Sequence, residues 1–390
     1  MQDLDRVYRE QAVQLRASLA ARIGDVGLAE EAVHDAFAEA LEHWPAHGVP
    51  PNPGGWLATT ARRKAIDRLR RARVGEAKLV LLTASDSPEE PDDDLLGLVF
   101  ACCHPALPPD GRAAMMLRFV AGLSTAEIAR LFLVSEPTMS ARLTRAKRKM
   151  ALAGIPLRTP DAADLPERIG VVLKVVYLLF TEGYRATAGE QLTRPRLCAE
   201  AIRLGYLLGE LLPGDDRIPA LLALMLFQHA RRDARVNPDG GLVTLPDQDR
   251  EHWHFDEIAR GVDLLAHVHS VSEYGLQARI AAEHATTSDT DWPKIAGLYA
   301  ELERLAPSPV VRLNRAVAVA EAGSPEAALH LLDGLEAGLP ASHLLPAVRG
   351  ELLLRLGRRA DAAASFSAAV QIARTDAERQ HLRQRLAHLD

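Results

Sequence analysis

Apolar residues recur along this chain at intervals of three and four, the spacing that places them on one face of a helix. Over residues 4–44 the pattern breaks once, at Gly24–Gly27, and so predicts two helices. Ala29, Val33, Phe37, Ala40 and Leu41 form the apolar face of the second. The proline- and glycine-rich stretch PAHGVPPNPGG then predicts a loop. Trp56–Arg73 is periodic again, with Trp56, Leu57, Ala61, Ala65, Ile66 and Leu69 as its stripe. ASDSPEEPDDD lacks periodicity and concentrates like charges, so it reads as a flexible linker. Leu95–Met150 is a third helical block, AGIPLRTPDAADLPE a second linker, and from Arg168 onward helix follows helix. One interruption, RVNPDGGLVTL, predicts a small hairpin or ordered loop around Asp239 and Gly240. The whole pattern predicts an all-α chain.

Within the third block, STAEIARLFLVSEPTMSARLTRAKRKM predicts two short helices joined by a tight turn. Ser124 and Glu127 have the spacing of a capping box. Ser135 suits the cap of the second helix, with Pro137 in its first turn. Met139, Leu143, Ala146 and Met150 bury that helix. Its other side carries short polar groups and cations, the chemistry that reaches base edges and phosphates in a major groove. Thr138, Ser140, Arg142, Arg145 and Lys149 are the candidate DNA contacts. Leu133 stands where such turns often have glycine, so the turn cannot use a glycine-only conformation.

Charge sharpens this picture. The formal net charge of -6 excludes a wholly basic nucleic-acid coat protein. Cations nevertheless cluster in Trp56–Arg73 and Arg142–Lys149, and acids in Glu76–Asp94, a segregation that points to a polyanionic partner for the first part of the chain. Three cysteines, two of them adjacent, make no disulfide framework and fit a reducing cytoplasm. The N-terminal stretch carries acids and is no signal peptide, and VVLKVVYLLF is too short for a membrane span. CCHP lacks the ligand spacing of a zinc site, and DQDREHWH reads as helix capping and loop pinning. No nucleophile elbow, zincin, phosphate-loop or dinucleotide motif occurs, so neither an enzyme nor a cofactor or metal is expected.

The end of the chain repeats. A shift of 34 residues sets Ala316 on Gly350, Val319 on Leu353, Ala328 on Ala362, Leu332 on Phe366 and Leu335 on Ala369. That is the tetratricopeptide period, and it predicts stacked helix pairs in 290–375. A degenerate earlier copy, WPKIAGLYAELERLAP, supplies Tyr299, Leu302 and Pro307, the last echoed by Pro340. Stacked pairs leave a concave groove for a peptide or protein, where Arg312, Asn314, Arg315 and Arg349 are candidates to meet an acidic partner.

AEEAVHDAFAEALEHW, WLATTARRKAIDRLRR and the helix-turn-helix stretch, in that order, resemble regions 2 and 4 of extracytoplasmic-function (ECF) sigma factors of bacterial RNA polymerase. ACCHPAL, LCAEAIRL and the repeating tail resemble the subgroup with a tetratricopeptide-like extension. The resemblance implies region 2 over 1–75, an acidic linker over 76–94, region 4 over 95–155 and the helical extension over 156–390. It implies that Glu31, His34, Asp35, Phe37 and Glu39 dock on the polymerase core, at the β′ clamp helices, with the β subunit also in contact. It assigns −10 recognition to Asn52, Trp56, Arg62, Arg63, Lys64, Arg68, Arg70 and Arg71, with Pro51–Gly55 as the loop that holds a flipped base, and −35 recognition to the helix-turn-helix. His34 replaces the glutamine more usual beside the acid. The expected function is promoter-directed initiation of transcription, controlled in cis by the extension. The alternative is a helix-turn-helix regulator with a helical sensor tail that binds DNA without polymerase.

Overall fold

The computed structural model describes residues 2–72, 91–132, 134–184, 195–235, 243–287, 289–339, 342–373 and 376–389. All regular elements among them are helical. They form two units, Met1–Leu179 and Phe180–Asp390.

The first unit opens with α1 (Gln2–Ile23), α2 (Val26–His47) and α3 (Pro53–Ala72). Gly24 ends α1 at φ +70°, a conformation that glycine adopts without a Cβ clash. Asp25 then starts α2, its Oδ1 accepting the amides of Gly27 and Leu28, both at 3.0 Å. Ala29, Val33, Phe37 and Ala40 are buried, as are Leu57, Ala61, Ala65 and Leu69 on α3, and the small residues let the two helices pack closely. Leu41, expected on this face, is 55% exposed, and Trp44 takes the place at 5%. From Ala40 a step of four residues stays on the buried face where a step of one leaves it.

Next come α4 (Pro91–Cys102), α5 (Pro109–Met115), a π-helical turn (Met116–Val120), α6 (Thr125–Leu131) and α7 (Glu136–Leu152). The expected linker therefore ends by Pro91, and residues 91–94 form the first turn of α4. The rest of that stretch, 76–90, lies outside the described residues, as does Leu133. α4 packs on α1, while α5 and α6 pack on α7. Phe100, Met115, Met116 and Phe119 are fully buried among these elements. α8 (Leu165–Tyr184) is one continuous helix. Its Arg168 donates Nη2 to Phe100 O at 2.8 Å, so the first unit extends past residue 155, where the sequence ended region 4.

The second unit gathers α9 (Pro195–Leu211), α10 (Arg217–His229), α11 (Phe255–Ala266) and α12 (Glu273–Thr286). α10 is apolar nearly all round, with Ile218 and Ala220–Phe227 buried, because α9, α11 and α12 surround it. The expected hairpin falls largely on 236–242, outside the described residues. At its end Val243 N donates to Arg235 O at 2.9 Å, and two 3₁₀ turns, Leu245–Asp247 and Arg250–His252, follow.

α13 (Trp292–Leu305), α14 (Pro309–Glu321), α15 (Pro325–Leu331), α16 (Leu344–Arg355), α17 (Arg359–Ile372) and α18 (Asp376–Ala387) then stack in chain order. Of the residues aligned by the 34-residue shift, all but the half-buried Val319 are buried. Their sizes compensate: Ala316 goes with Leu332, whereas Gly350 goes with Phe366. A Cβ on Gly350 would meet the Phe366 ring at 3.0 Å. Arg355 pairs with Glu321, and Arg385 holds Glu351 through two bonds of 2.7 and 2.6 Å; both contacts join positions 34 residues apart. α12, α13, α14, α16 and α18 line a concave cavity of about 1410 Å³. Asn314 reaches it, but Arg315 is bonded to Glu303 and Arg349 to Glu336. Arg315 thus braces two neighbouring helices and Arg349 ties α16 to the turn before it; neither lines the cavity, nor does Arg312.

Candidate nucleic-acid interface

The basic face of α3 meets the acidic face of α2. Arg68 donates Nε and Nη2 to Asp35 Oδ2 at 3.0 and 2.7 Å, and Nη1 to Glu31 Oε2 at 2.7 Å. Glu39 takes both Lys64, at 2.6 Å, and Arg63. The Lys64 hydrogen bond, reinforced by Arg63 against a small burial penalty, holds the Glu39 carboxyl below its usual range. Asp35 raises the Arg68 guanidinium further still. The sequence assigned these acids to polymerase and these cations to DNA. The structure brings Glu31, Asp35, Glu39, Arg63, Lys64 and Arg68 together on one ionic face.

The other assigned residues of this part are dispersed. His34 and Arg70 are exposed and Arg62 is half-buried, while the Arg71 side chain lies outside the described residues. Phe37 corrects an expectation. At 4% exposure it is a core residue, so it supports α2 from within and offers polymerase no side-chain surface. Asn52 is exposed, and its Oδ1 accepts Gly55 N at 2.9 Å at the start of α3. Trp56 is held by an aromatic cluster that the sequence did not reveal. Trp44 meets it edge-on at 5.6 Å and His43 lies parallel to it at 6.0 Å, with His47 stacked on His43 at 4.0 Å.

The helix-turn-helix is built as its caps predict. Ser124 Oγ accepts Glu127 N at 3.2 Å while Glu127 Oε2 accepts Ser124 N at 2.8 Å. Ser124 Oγ also donates to Glu127 Oε2 at 2.6 Å, and this bond first, then that from Ser124 N, holds the Glu127 carboxyl low. Ser135 caps α7 through Thr138 N at 3.3 Å. Met139, Leu143, Ala146 and Met150 are buried; Thr138, Ser140, Arg145 and Lys149 are exposed on other sides of the helix. Arg142 departs from its assignment. Its Nε lies 3.2 Å from Asp110 Oδ2 and its guanidinium 5.8 Å from the Phe132 ring centre. In this state it braces the turn and does not stand out toward a groove.

Glu30 was missed altogether. Its carboxylate takes Arg118 Nε at 2.5 Å and Lys147 Nζ at 3.4 Å, partners 88 and 117 residues away. Nothing in the pattern of α2 sets Glu30 apart from Glu31 beside it.

The two motifs set aside are structural here. Cys102 and Cys103 are buried, and burial pushes both thiols up, Cys103 to about 12. Asp249 caps the second of the 3₁₀ turns, Arg250–His252, at Glu251 N and holds His252, while Arg250 donates to Thr287 O and His284 O. Among the described residues no group of three His, Cys, Asp or Glu is placed to hold a metal ion. No described helix is long and apolar enough to cross a membrane.

Residues 7–74 match sigma-70 region 2, and residues 98–150 match sigma-70, region 4. The ECF RNA polymerase sigma factor SigL of Mycobacterium tuberculosis is 30% identical over 151 residues, covering 37% of this chain and 85% of that protein. The chain belongs to the sigma-70 family. Region 2 thus comprises α1–α3 with their ionic face, and region 4 takes in α4–α7. An uncharacterized protein of Rhizobium meliloti is 42% identical over 384 residues, 94% of this sigma chain and 90% of that one. Residues 168–269 match a family of unknown function (DUF6596). No solved structure matches.

Proposed function

We propose that this chain is an ECF-type sigma factor that directs bacterial RNA polymerase to promoters by binding alone, with polymerase doing all the bond-making. The observation that carries the reading is the ordered pair of nucleic-acid modules in one unit: the α2–α3 ionic face and, after it, the doubly capped helix-turn-helix. In this reading region 2 docks on the core and holds the opened −10 strand with Asn52, Trp56 and the α3 cations, while Thr138, Ser140, Arg145 and Lys149 meet the −35 major groove. Run-off transcription of the genomic DNA by core polymerase, with and without the protein, tests this. Discrete new start sites are expected. DNA binding with no new transcript would turn the assignment toward a regulator that works without polymerase. In the same assay, Arg145→Ala with Lys149→Ala is expected to cost about 1–3 kcal/mol of promoter recognition, roughly five- to 150-fold, while polymerase affinity is unchanged. Full activity of that double variant would count against the groove assignment.

The extension is read as a tetratricopeptide-like groove that takes an extended peptide or protein segment and controls the sigma regions in cis. The 34-residue ion pairs and the 1410 Å³ cavity support this. So does the Rhizobium meliloti protein, which matches this chain through both parts. Val348→Arg, on the groove floor, is expected to change transcript yield without moving the start sites. An unchanged yield speaks against control through the groove.

A further inference from the structure

The cavity of the second unit differs in charge from end to end. Toward α14, α16 and α18 its cations meet carboxylates. Arg355 pairs with Glu321, Arg385 with Glu351 at 2.6 Å, and His343 lies 3.7 Å from Glu378. At the other end Arg250 lines the cavity beside the last turn of α12. It donates Nη1 to Thr287 O at 2.6 Å and Nη2 to His284 O at 3.3 Å, and its guanidinium stands 4.8 Å from the Trp253 ring centre. Arg231 stands 5.8 Å from the same ring and donates to Tyr184 Oη at 2.9 Å. Neither arginine has a carboxylate partner among the described residues.

Rings and carbonyl oxygens steady a guanidinium without cancelling its charge. The neighbouring His284 registers that charge: burial first, then Arg231, pushes its imidazole down to about 4, with Arg250 adding to the shift and Glu283 opposing it. Asp247 and Asp289 also line this end, but both are exposed and neither forms an ion pair among the described residues. The two arginines are half-buried, so theirs are the charges that gain most from a bound anion, and the planar guanidinium fork fits a carboxylate. Further along, Asn314 is exposed in the cavity and makes no hydrogen bond among the described residues, beside apolar walls of Val317, Leu344 and Val348. A free amide suits a peptide backbone and the apolar walls suit its side chains. The occupant that matches both ends is an extended acidic chain.

We propose that the Arg250 end of the cavity is an anion subsite, which takes an acidic side chain of a peptide seated in the groove. The proposal rests on the groove reading above, but its arginines and Trp253 lie outside the 34-residue repeat, between α10 and α11.

Fluorescence anisotropy with the full-length chain tests it. The probes are two labelled peptides, one of repeating glutamate, leucine and alanine, the other with glutamine in place of glutamate. The glutamate peptide is expected to bind about tenfold more tightly at low salt, with an advantage that shrinks as salt rises and disappears in Arg250→Gln. Equal affinity for the two peptides would overturn the proposal. So would binding that survives Arg250→Gln but falls in Arg145→Ala with Lys149→Ala, since the peptide would then sit on α7. Inorganic phosphate that displaces the glutamate peptide at equally low concentration would mark a small-anion site and overturn the peptide assignment. Should Arg250→Gln melt by circular dichroism, Thr290→Glu is read instead. It sets a carboxylate in the wall of the same end and removes no described side-chain bond, and the same loss is expected. Absence of glutamate-dependent binding removes the subsite, whereas the groove reading stands or falls separately, with the transcript yield of Val348→Arg.

Discussion

Lowering the pH from 7 toward 4 is expected to cost the second unit about 3 kcal/mol through one side chain, His284. Burial pushes this imidazole down to about 4 from an ordinary 6.5; the nearby Arg231 and Arg250 cations add to the shift and Glu283 partly offsets it. Its Nδ1 is buried with no hydrogen-bond partner, and Trp292 meets the ring edge-on at 5.3 Å. The unfolded chain takes up a proton near pH 6.5, whereas the folded one stays neutral until about 4. Stability from this group is therefore whole above 6.5 and falls steadily between 6.5 and 4. Carboxylates add a separate loss at lower pH. Burial alone would raise Glu257, but His229 and Arg232 outweigh it and hold it low. Denaturant titrations followed through Trp253 and Trp292 at pH 7, 5.5 and 4.5 measure the slope. His284→Phe should flatten the window above pH 4.5, and an equal slope in both proteins would refute the assignment.

Phe100→Ala is expected to destabilise the first unit by about 3–5 kcal/mol. That is a large part of the ~5–15 kcal/mol that holds a typical domain together. Phe100 is 1% exposed on α4, the helix that joins region 4 to α1, and its carbonyl receives Arg168. Removing the ring leaves a cavity among side chains already close-packed. Urea unfolding followed through Trp44 and Trp56 measures the loss. A change below ~1 kcal/mol would mean that the site collapses around the smaller residue.

Much of the fold was legible because its determinants are local. Ser124 with Glu127, and Ser135, mark helix starts by their own hydrogen bonds, and a 3.6-residue period needs no partner to be seen. The burial of the positions aligned by the 34-residue shift was legible for the same reason, since Ala316 and Gly350 show it by type. What could not be read depends on contacts far along the chain. Glu30 acquires its role from Arg118 and Lys147, and Arg142 from Asp110 and Phe132. Both carry the charge expected of an exposed or DNA-facing position, and only the neighbour reverses the reading; the burial of Phe37 was already in the helical period, against the docking role that the resemblance implied. The resemblance set the α2 acids against polymerase and the α3 cations against DNA, but opposite charges on adjacent helices find one another first.

That ionic face alters how region 2 would exchange ions on meeting DNA. A lysine or arginine surrounded by water gives up a small anion, or frees a condensed cation from the duplex, when it takes a phosphate, and the entropy of the released ion drives association with any sequence. Arg63, Lys64 and Arg68 begin neutralised by Glu39, Glu31 and Asp35. To accept a phosphate they must first leave a carboxylate that stays tethered to α2, so part of the gain is spent in restoring a negative charge beside the strand. Random duplex then holds region 2 weakly. Under the proposed function the compensation would come in other ways, through an unstacked base against Asn52 and Trp56 and a partner that covers the released acids.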